Sequence, residues 1–150
     1  ESGRRRAVPS AGATIPLTVF LAAGADTVEG FEAGVYRYLP EVHALRRTGR
    51  EDVRGQIARA ALGQRFLQEA PLDILVAANY SRTARRYGER ARRYVHMEAG
   101  HVGQNVHLQA EALGLATVMV GAFDDGSVAE VFELPDNLAP LYLMPVGYAR

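Results

Sequence analysis

Two short stretches carry the residue types best suited to chemistry. RRRAVPSAGA, residues 4–13, sets Arg4, Arg5 and Arg6 ahead of a compact turn of small residues, Pro9, Ser10, Ala11 and Gly12. Guanidinium groups match the charge and fork geometry of a phosphate. Small side chains in a turn let backbone amides and the Ser10 hydroxyl reach a ligand directly. The stretch is no P-loop, because the Gly-Lys-Ser ending is absent. GAFDDGS, residues 121–127, follows a β-branched run and precedes a short helical pattern. Ligands gather where strand ends meet loops, and Gly121 permits close approach. Asp124 and Asp125 read more simply as turn or helix-capping residues.

A third cluster is basic. Arg82, Arg85, Arg86, Arg90, Arg92 and Arg93 interleave with Tyr80, Tyr87 and Tyr94. Arginine beside tyrosine can bind nucleic acid, but the whole chain balances 17 basic against 17 acidic residues and carries no nucleic-acid motif. A solvated helix face is the simpler reading, with an anionic substrate between the two, and no nucleic-acid partner is expected. Glu98 and His101 have the Glu-x-x-His spacing of carboxylate-bridged di-iron bundles. Such a site needs a second copy of the motif and further glutamates, so no metal is expected. There is no serine-nucleophile elbow and no carboxylate pair spaced for hydrolysis.

These residues must be positioned by a small set of elements. Residues 16–23, 35–39, 73–80, 116–121 and 141–146 read as strands, from their β-branched and aromatic runs and the prolines that bound them. Pro145 suggests an edge strand or a strand end. Residues 51–67 show apolar spacing near the helical period, 81–93 form a basic helical stretch that Gly88 interrupts, and 128–134 a short helix. The longest helix runs over 92–113, with Gly114 as its left-handed stop. Its apolar stripe is Val95, Ala99, Val102, Val106, Ala110 and Leu113. Gly100 and Gly103 lie beside that stripe, although glycine inside a helix costs about 1 kcal/mol relative to alanine. A bare row serves either tight packing inside the monomer or a subunit interface or ligand groove.

The chain has 150 residues, enough for one domain with its own core. It lacks cysteine, which excludes disulfides and thiolate metal sites. No apolar run approaches the roughly 20 residues that cross a bilayer, so no membrane partner is expected and a cytoplasmic location is. Strands and helices alternate without strict βαβ units, which favours a layered α+β or α/β sandwich over a Rossmann domain.

Four segments taken together, PSAGATIPL, GVYRYLPEVHAL, RRYGERARRYVHMEAGHVGQNVHLQAEALGL and VGAFDD with the closing LYLMPVG, resemble the nitroreductase superfamily. Within it they are most similar to the SagB/ThcOx-type dehydrogenases, which include oxidases of thiazoline and oxazoline rings. The resemblance implies an α+β fold, an α/β/α sandwich around a mixed, mainly antiparallel sheet, working as a homodimer with FMN at the subunit interface. It implies an oxidoreductase that passes hydride or electrons between NAD(P)H and an organic acceptor in ping-pong fashion. The long helix would pack in the core and across the dimer, its bare row allowing close helix contact.

Residue by residue, Pro9, Ser10, Ala11 and Gly12 resemble the segment that lies against the flavin, with Arg5 and Arg6 beside it. Gly121, Ala122 and Phe123 resemble the loop whose backbone meets the isoalloxazine ring, and Arg150 a basic phosphate contact. Azoline-oxidising relatives carry Lys-Tyr before the glycine of their KYG motif; here the pair is Arg86 and Tyr87. Tyr87 can serve as acid or base, but an arginine does not give up its proton, which weighs against azoline oxidation. The family's usual opening Arg-Ser-x-Arg segment, which grips the FMN phosphate, is missing. Residues 1–150 are accordingly expected to form one nitroreductase-like domain lacking that segment, as a fragment, a weak FMN binder or a protein without flavin. A flavin-free or weakly binding dimeric module on the same scaffold is the alternative to the enzyme.

Overall fold

The computed structural model describes residues 6–149. In chain order its elements are β1 (Leu17–Ala23), β2 (Gly34–Leu39), β3 (Ala44–Gly49), α1 (Arg54–Ala60), α2 (Phe66–Glu69), β4 (Leu72–Ala78), α3 (Tyr80–Tyr87), α4 (Ala91–Ala112), β5 (Ala116–Thr117), α5 (Asp125–Val131) and β6 (Ala139–Gly147). The strands form one sheet in the order β3-β2-β1-β4-β6-β5. All of these neighbours pair antiparallel, so the sheet takes the expected antiparallel bias to its limit.

Helices cover both faces, and strand alternation sorts the core into two sides. Leu75 and Ala77 of β4 point with Leu143 into the larger cluster, against Ile57 and Ala58 of α1, Leu67 of α2, and Val128 and Phe132 at α5. Val76 points the other way with Tyr142 and Met144, against Ala99, Val102 and Val106 of α4. A central strand covered on both sides needs apolar residues at successive positions, which is why β4 reads as the short apolar run LDILVAA. No helix among the described residues is long and apolar enough to cross a membrane.

Several expected elements are redrawn. The single helix expected over 51–67 is two short ones, because Leu62 and Gly63 adopt left-handed backbone (φ 58° and 79°) between them. There the Gly63 N–H bonds back to the Ala58 carbonyl at 2.9 Å, closing off α1. Strand β3 was not anticipated: its exposed and half-buried residues alternate, ALRRTG, with arginines where an apolar pattern would show. The short helix expected over 128–134 starts at Asp125, because the Asp124 carboxylate accepts the Ser127 N–H at 2.8 Å and caps it there. Of the strand expected over 116–121, only β5 and a lone bridge from Val120 to Leu143 are regular. Pro145 does not end β6, which runs on to Gly147. Its outer neighbour β5 pairs only at Val146 and Gly147, so β6 lies near the sheet border, where proline is tolerated. The long helix matches its expected span, and Gly114 (φ 70°) stops it, the Leu115 N–H reaching the Ala110 carbonyl at 2.8 Å.

Candidate functional site

Sheet topology brings the two candidate segments to one end of the fold. Leu17, the first residue of β1, lies opposite Ala78, the last of β4, which in turn faces Ala139, the first of β6. From the Val120–Leu143 bridge the chain continues antiparallel to β6, toward its Ala139 end. The turn before β1, Asn79 and Tyr80 after β4, and the loop at Gly121 therefore share that end. Turn and loop are three strand spacings apart, about 14 Å.

The turn is held in an unusual backbone. Gly12, Ala13 and Ile15 all have positive φ (56°, 55° and 48°), a region that a β-branched residue such as Ile15 enters only under constraint. The constraints are on view. The Ile15 N–H donates to Ser10 Oγ at 2.9 Å, and Thr14 Oγ1 donates to the Ala11 carbonyl at 3.0 Å and lies 2.8 Å from Thr83 Oγ1. From α3, Arg82 donates to the Ile15 carbonyl at 3.0 Å and Arg86 to the Gly12 carbonyl at 3.2 Å. Gly12 has no substitute here, since a Cβ would stand 2.6 Å from the Tyr87 hydroxyl and 2.9 Å from Arg86 Cδ. The turn and the Arg86–Tyr87 pair, 74 residues apart between Gly12 and Arg86, thus form one unit. Beneath it lies Glu98 of α4, only 6% exposed. Burial pushes its carboxyl above the usual range, opposed by the nearby Ser10 hydroxyl and Ala11 N–H and by the charges of His101 and Arg6. In the sequence Glu98 is marked only by its spacing to His101; its place beneath the turn comes from the docking of the turn on α4.

Beside this unit α3 packs on the start of α4 through aromatic pairs. The Tyr80 hydroxyl is 2.7 Å from His96 Nε2, and the Tyr87 ring meets Tyr94 edge-on with centroids 5.0 Å apart. Desolvation raises the Tyr80 pKa, as does the charge of Asp125, while Arg92 lowers it. Arg82, Arg85, Arg86, Arg90, Arg92 and Arg93 are exposed, a basic ridge flanking the turn.

The loop behaves as three separate residues. Gly121 is exposed, and a Cβ built there meets nothing within 4 Å. The Ala122 carbonyl accepts from Gln64 Nε2 at 2.9 Å. Phe123 turns inward and packs on the larger core cluster, so it anchors the loop. Of the other candidates, Arg6 reaches Glu41 at 3.8 Å, Pro9 is exposed at the head of the turn, and Arg5 and Arg150 lie outside the described residues.

The two helical glycines do not share a role. At Gly103 a Cβ would collide with the Met119 sulfur and stand 3.2 Å from the Tyr142 hydroxyl. At Gly103 the gap is filled from within the chain by residues of the neighbouring sheet border, which is the packing inside the monomer that the sequence left open. Gly100 is exposed, with open space around it.

Comparison with known proteins agrees with this architecture. The model of the Nitroreductase family matches residues 3–148. The chain is 51% identical over 142 residues to the candidate nitroreductase MJ1384 of Methanocaldococcus jannaschii, covering 95% of this chain and 70% of that protein. It is 30% identical over 147 residues to the microcin B17-processing protein McbC of Escherichia coli, covering 95% of this chain and 54% of that one. The crystal structure of a candidate nitroreductase from Anabaena variabilis superposes with a TM-score of 0.84 at 33% identity, over 90% of this chain and 27% of that one. With the fold and these matches in agreement, the chain belongs to the nitroreductase family, whose members are in general FMN-dependent oxidoreductases.

Proposed function

We propose that this chain is an FMN-dependent oxidoreductase that passes reducing equivalents from NAD(P)H to an organic acceptor in ping-pong fashion. In this reading the flavin sits at the sheet end between Pro9–Gly12 and Gly121–Phe123, and a second copy of the chain completes the cleft. One observation carries it: a left-handed turn, clamped against Arg86 and Tyr87, at the same sheet end as the open backbone of Gly121. The residues fit the group. Gly121 borders space that no side chain fills, so a flat ring can lie against its backbone, and the basic ridge suits phosphates on cofactor or donor.

Bound FMN supplies the hydride chemistry. The chain's own residues do the rest. The backbone of Gly121 and Ala122 would hold the ring, and an amide there would stabilise negative charge on it. Tyr87, whose hydroxyl borders Gly12, is the acid or base. Arg86, committed to the Gly12 carbonyl, keeps its charge at any working pH and serves to hold the turn. The ridge from Arg82 to Arg93 attracts the phosphates of NAD(P)H.

The test is reconstitution. Protein refolded with excess FMN and freed of unbound flavin is expected to be yellow, with about one flavin per chain, and to oxidise NAD(P)H in a flavin-dependent manner. Colourless protein without that oxidation overturns the proposal and favours a flavin-free module.

A further inference from the structure

Two tyrosine hydroxyls stand near the sheet end that carries the turn and the Gly121 loop, and their neighbours differ. Tyr87 has Tyr94 edge-on and the Arg86 guanidinium 5.6 Å over its ring, groups that do not exchange protons near neutral pH. Tyr80 has an imidazole. Its hydroxyl is 2.7 Å from His96 Nε2, a full hydrogen bond, and the two rings meet edge-on with centroids 5.7 Å apart.

Backbone contacts set the place of Tyr80. It follows β4 directly, and the Asn79 N–H donates to the Pro16 carbonyl at 2.9 Å, just before β1. Ser81 Oγ donates to Asn79 Oδ1 at 2.7 Å and fixes the start of α3. Tyr80 therefore leaves the sheet one strand spacing, about 5 Å, from the turn and two from the Gly121 segment, inside the span between them. Tyr80 is half-buried, whereas His96 is exposed on α4. One member of the pair is open to water and the other stands in the span. Arg92 holds its guanidinium 6.0 Å over the Tyr80 ring and, with Asp125 of α5, supplies the charges that act on it; Arg93 lies within one turn of His96 on α4.

We propose that Tyr80 and His96 form a solvent-fed proton relay, in which Tyr80 delivers the proton that the organic acceptor takes up and His96 replaces it. The destination of the proton rests on the function proposed above; the hydrogen-bonded pair does not. An acceptor reduced by two electrons gains one hydride and one proton. The hydride is the contribution of bound FMN. As the Tyr80 O–H bond breaks toward the acceptor, the N–H bond of protonated His96 breaks toward the Tyr80 oxygen, and water then restores the imidazole. Burial raises the Tyr80 pKa and keeps the hydroxyl protonated between turnovers. Tyr87 keeps its place beside the turn.

The experiment compares wild type, Tyr80→Phe, His96→Ala and Tyr87→Phe. In flavin-free protein, the ring nitrogen shifts of His96 should report a hydrogen bond at Nε2 that Tyr80→Phe abolishes and Tyr87→Phe leaves in place. In FMN-loaded protein with menadione as acceptor, wild-type kcat should fall between roughly pH 6 and pH 9 as His96 loses its proton. Tyr80→Phe and His96→Ala should be slower by about tenfold or more near neutral pH, without that fall and with FMN retained. Added imidazole should restore part of the loss in His96→Ala. Tyr87→Phe should keep the pH dependence.

Ring shifts that ignore Tyr80→Phe overturn the pair. Wild-type kcat and pH dependence in both variants overturn the relay, as does a loss that merely follows lost FMN or that imidazole leaves untouched. Should Tyr80→Phe fail to fold, His96→Ala, changed at an exposed position, decides alone. A wild type that takes no FMN overturns the function proposed above and the relay with it, and is recognised before any variant is compared.

Discussion

The Asp73 carboxyl, wholly buried in β4, stands within electrostatic reach of the Arg54 guanidinium, yet neither of its oxygens takes a hydrogen bond among the described residues. Arg54 is committed elsewhere. It grips Asp52 with two nitrogens at 2.9 and 2.7 Å and donates to the Ala70 carbonyl at 2.7 Å. Asp73's cross-strand neighbour on one side is Pro145, which has no N–H to offer.

Burial accordingly pushes the Asp73 pKa up to about 8, with Arg54 pulling it down and Asp52 pushing it further up. An unfolded chain releases this proton near about pH 4. Between those values the folded state holds a proton that the unfolded state has lost, so stability falls as pH rises through the window and levels off above it. The steepest loss is about 1.4 kcal/mol per pH unit. Urea unfolding from pH 4 to pH 9 should show that decline in wild type and a flatter profile in Asp73→Asn. Identical slopes would assign the drift to other groups.

Gly103 and Gly100 should answer substitution in opposite ways. Gly103→Ala drives a methyl group into Met119 and toward Tyr142, and is expected to cost about 1–3 kcal/mol. Trimming the obstacle with Met119→Ala in the same chain should return part of that loss. Gly100→Ala has open space and gains helix propensity, so it should be neutral or stabilising by up to about 1 kcal/mol. Thermal melts of these three variants against wild type separate these outcomes. Sedimentation of Gly100→Leu adds a check on association, because a bulky side chain at this exposed position disturbs a copy docked there and nothing within the chain.

Tyr87 and Arg86 divide the work at the turn. Tyr87→Phe is expected to leave bound flavin intact and to lower turnover by about 10²–10⁴, the range for a lost general acid or base. Arg86→Ala should instead loosen Gly12 and weaken FMN retention, with turnover at saturating FMN less affected. Equal loss of flavin in both variants would remove the distinction.

The basic ridge makes a prediction about salt. If Arg85, Arg90, Arg92 and Arg93 steer a phosphorylated donor, the KM for NAD(P)H should rise with ionic strength while kcat holds, because exposed charges are screened within a Debye length of about 10 Å at 0.1 M salt. A salt-independent KM would return these arginines to the role of a solvated helix face.

Much of this was legible before any coordinates. The small-residue turn, the Gly121 loop and the long helix with its Gly114 stop each have a local signature. Their proximity does not. Gly12 meets Tyr87 only because β1 and β4 are sheet neighbours and α3 folds back over the strand ends. The spacing of Glu98 to His101 is visible in the sequence, whereas its nearness to Ser10 and Ala11 depends on docking. The bare glycine row reads as tight packing inside the monomer or as an interface or ligand groove, and periodicity along one helix cannot separate these; Met119 of the same chain stands at Gly103, while Gly100 faces open space. Strand β3 hid because its pattern is carried by arginine stems rather than apolar side chains.

That strand also bears on how copies of the chain meet. One border of the sheet is β3, with Arg46 exposed and Arg47 half-covered along it; the opposite border is β5, two residues long. Cationic side chains on one rim and brevity on the other both discourage a further strand from adding on. Continuous ladders between molecules are thereby disfavoured at either margin of the sheet.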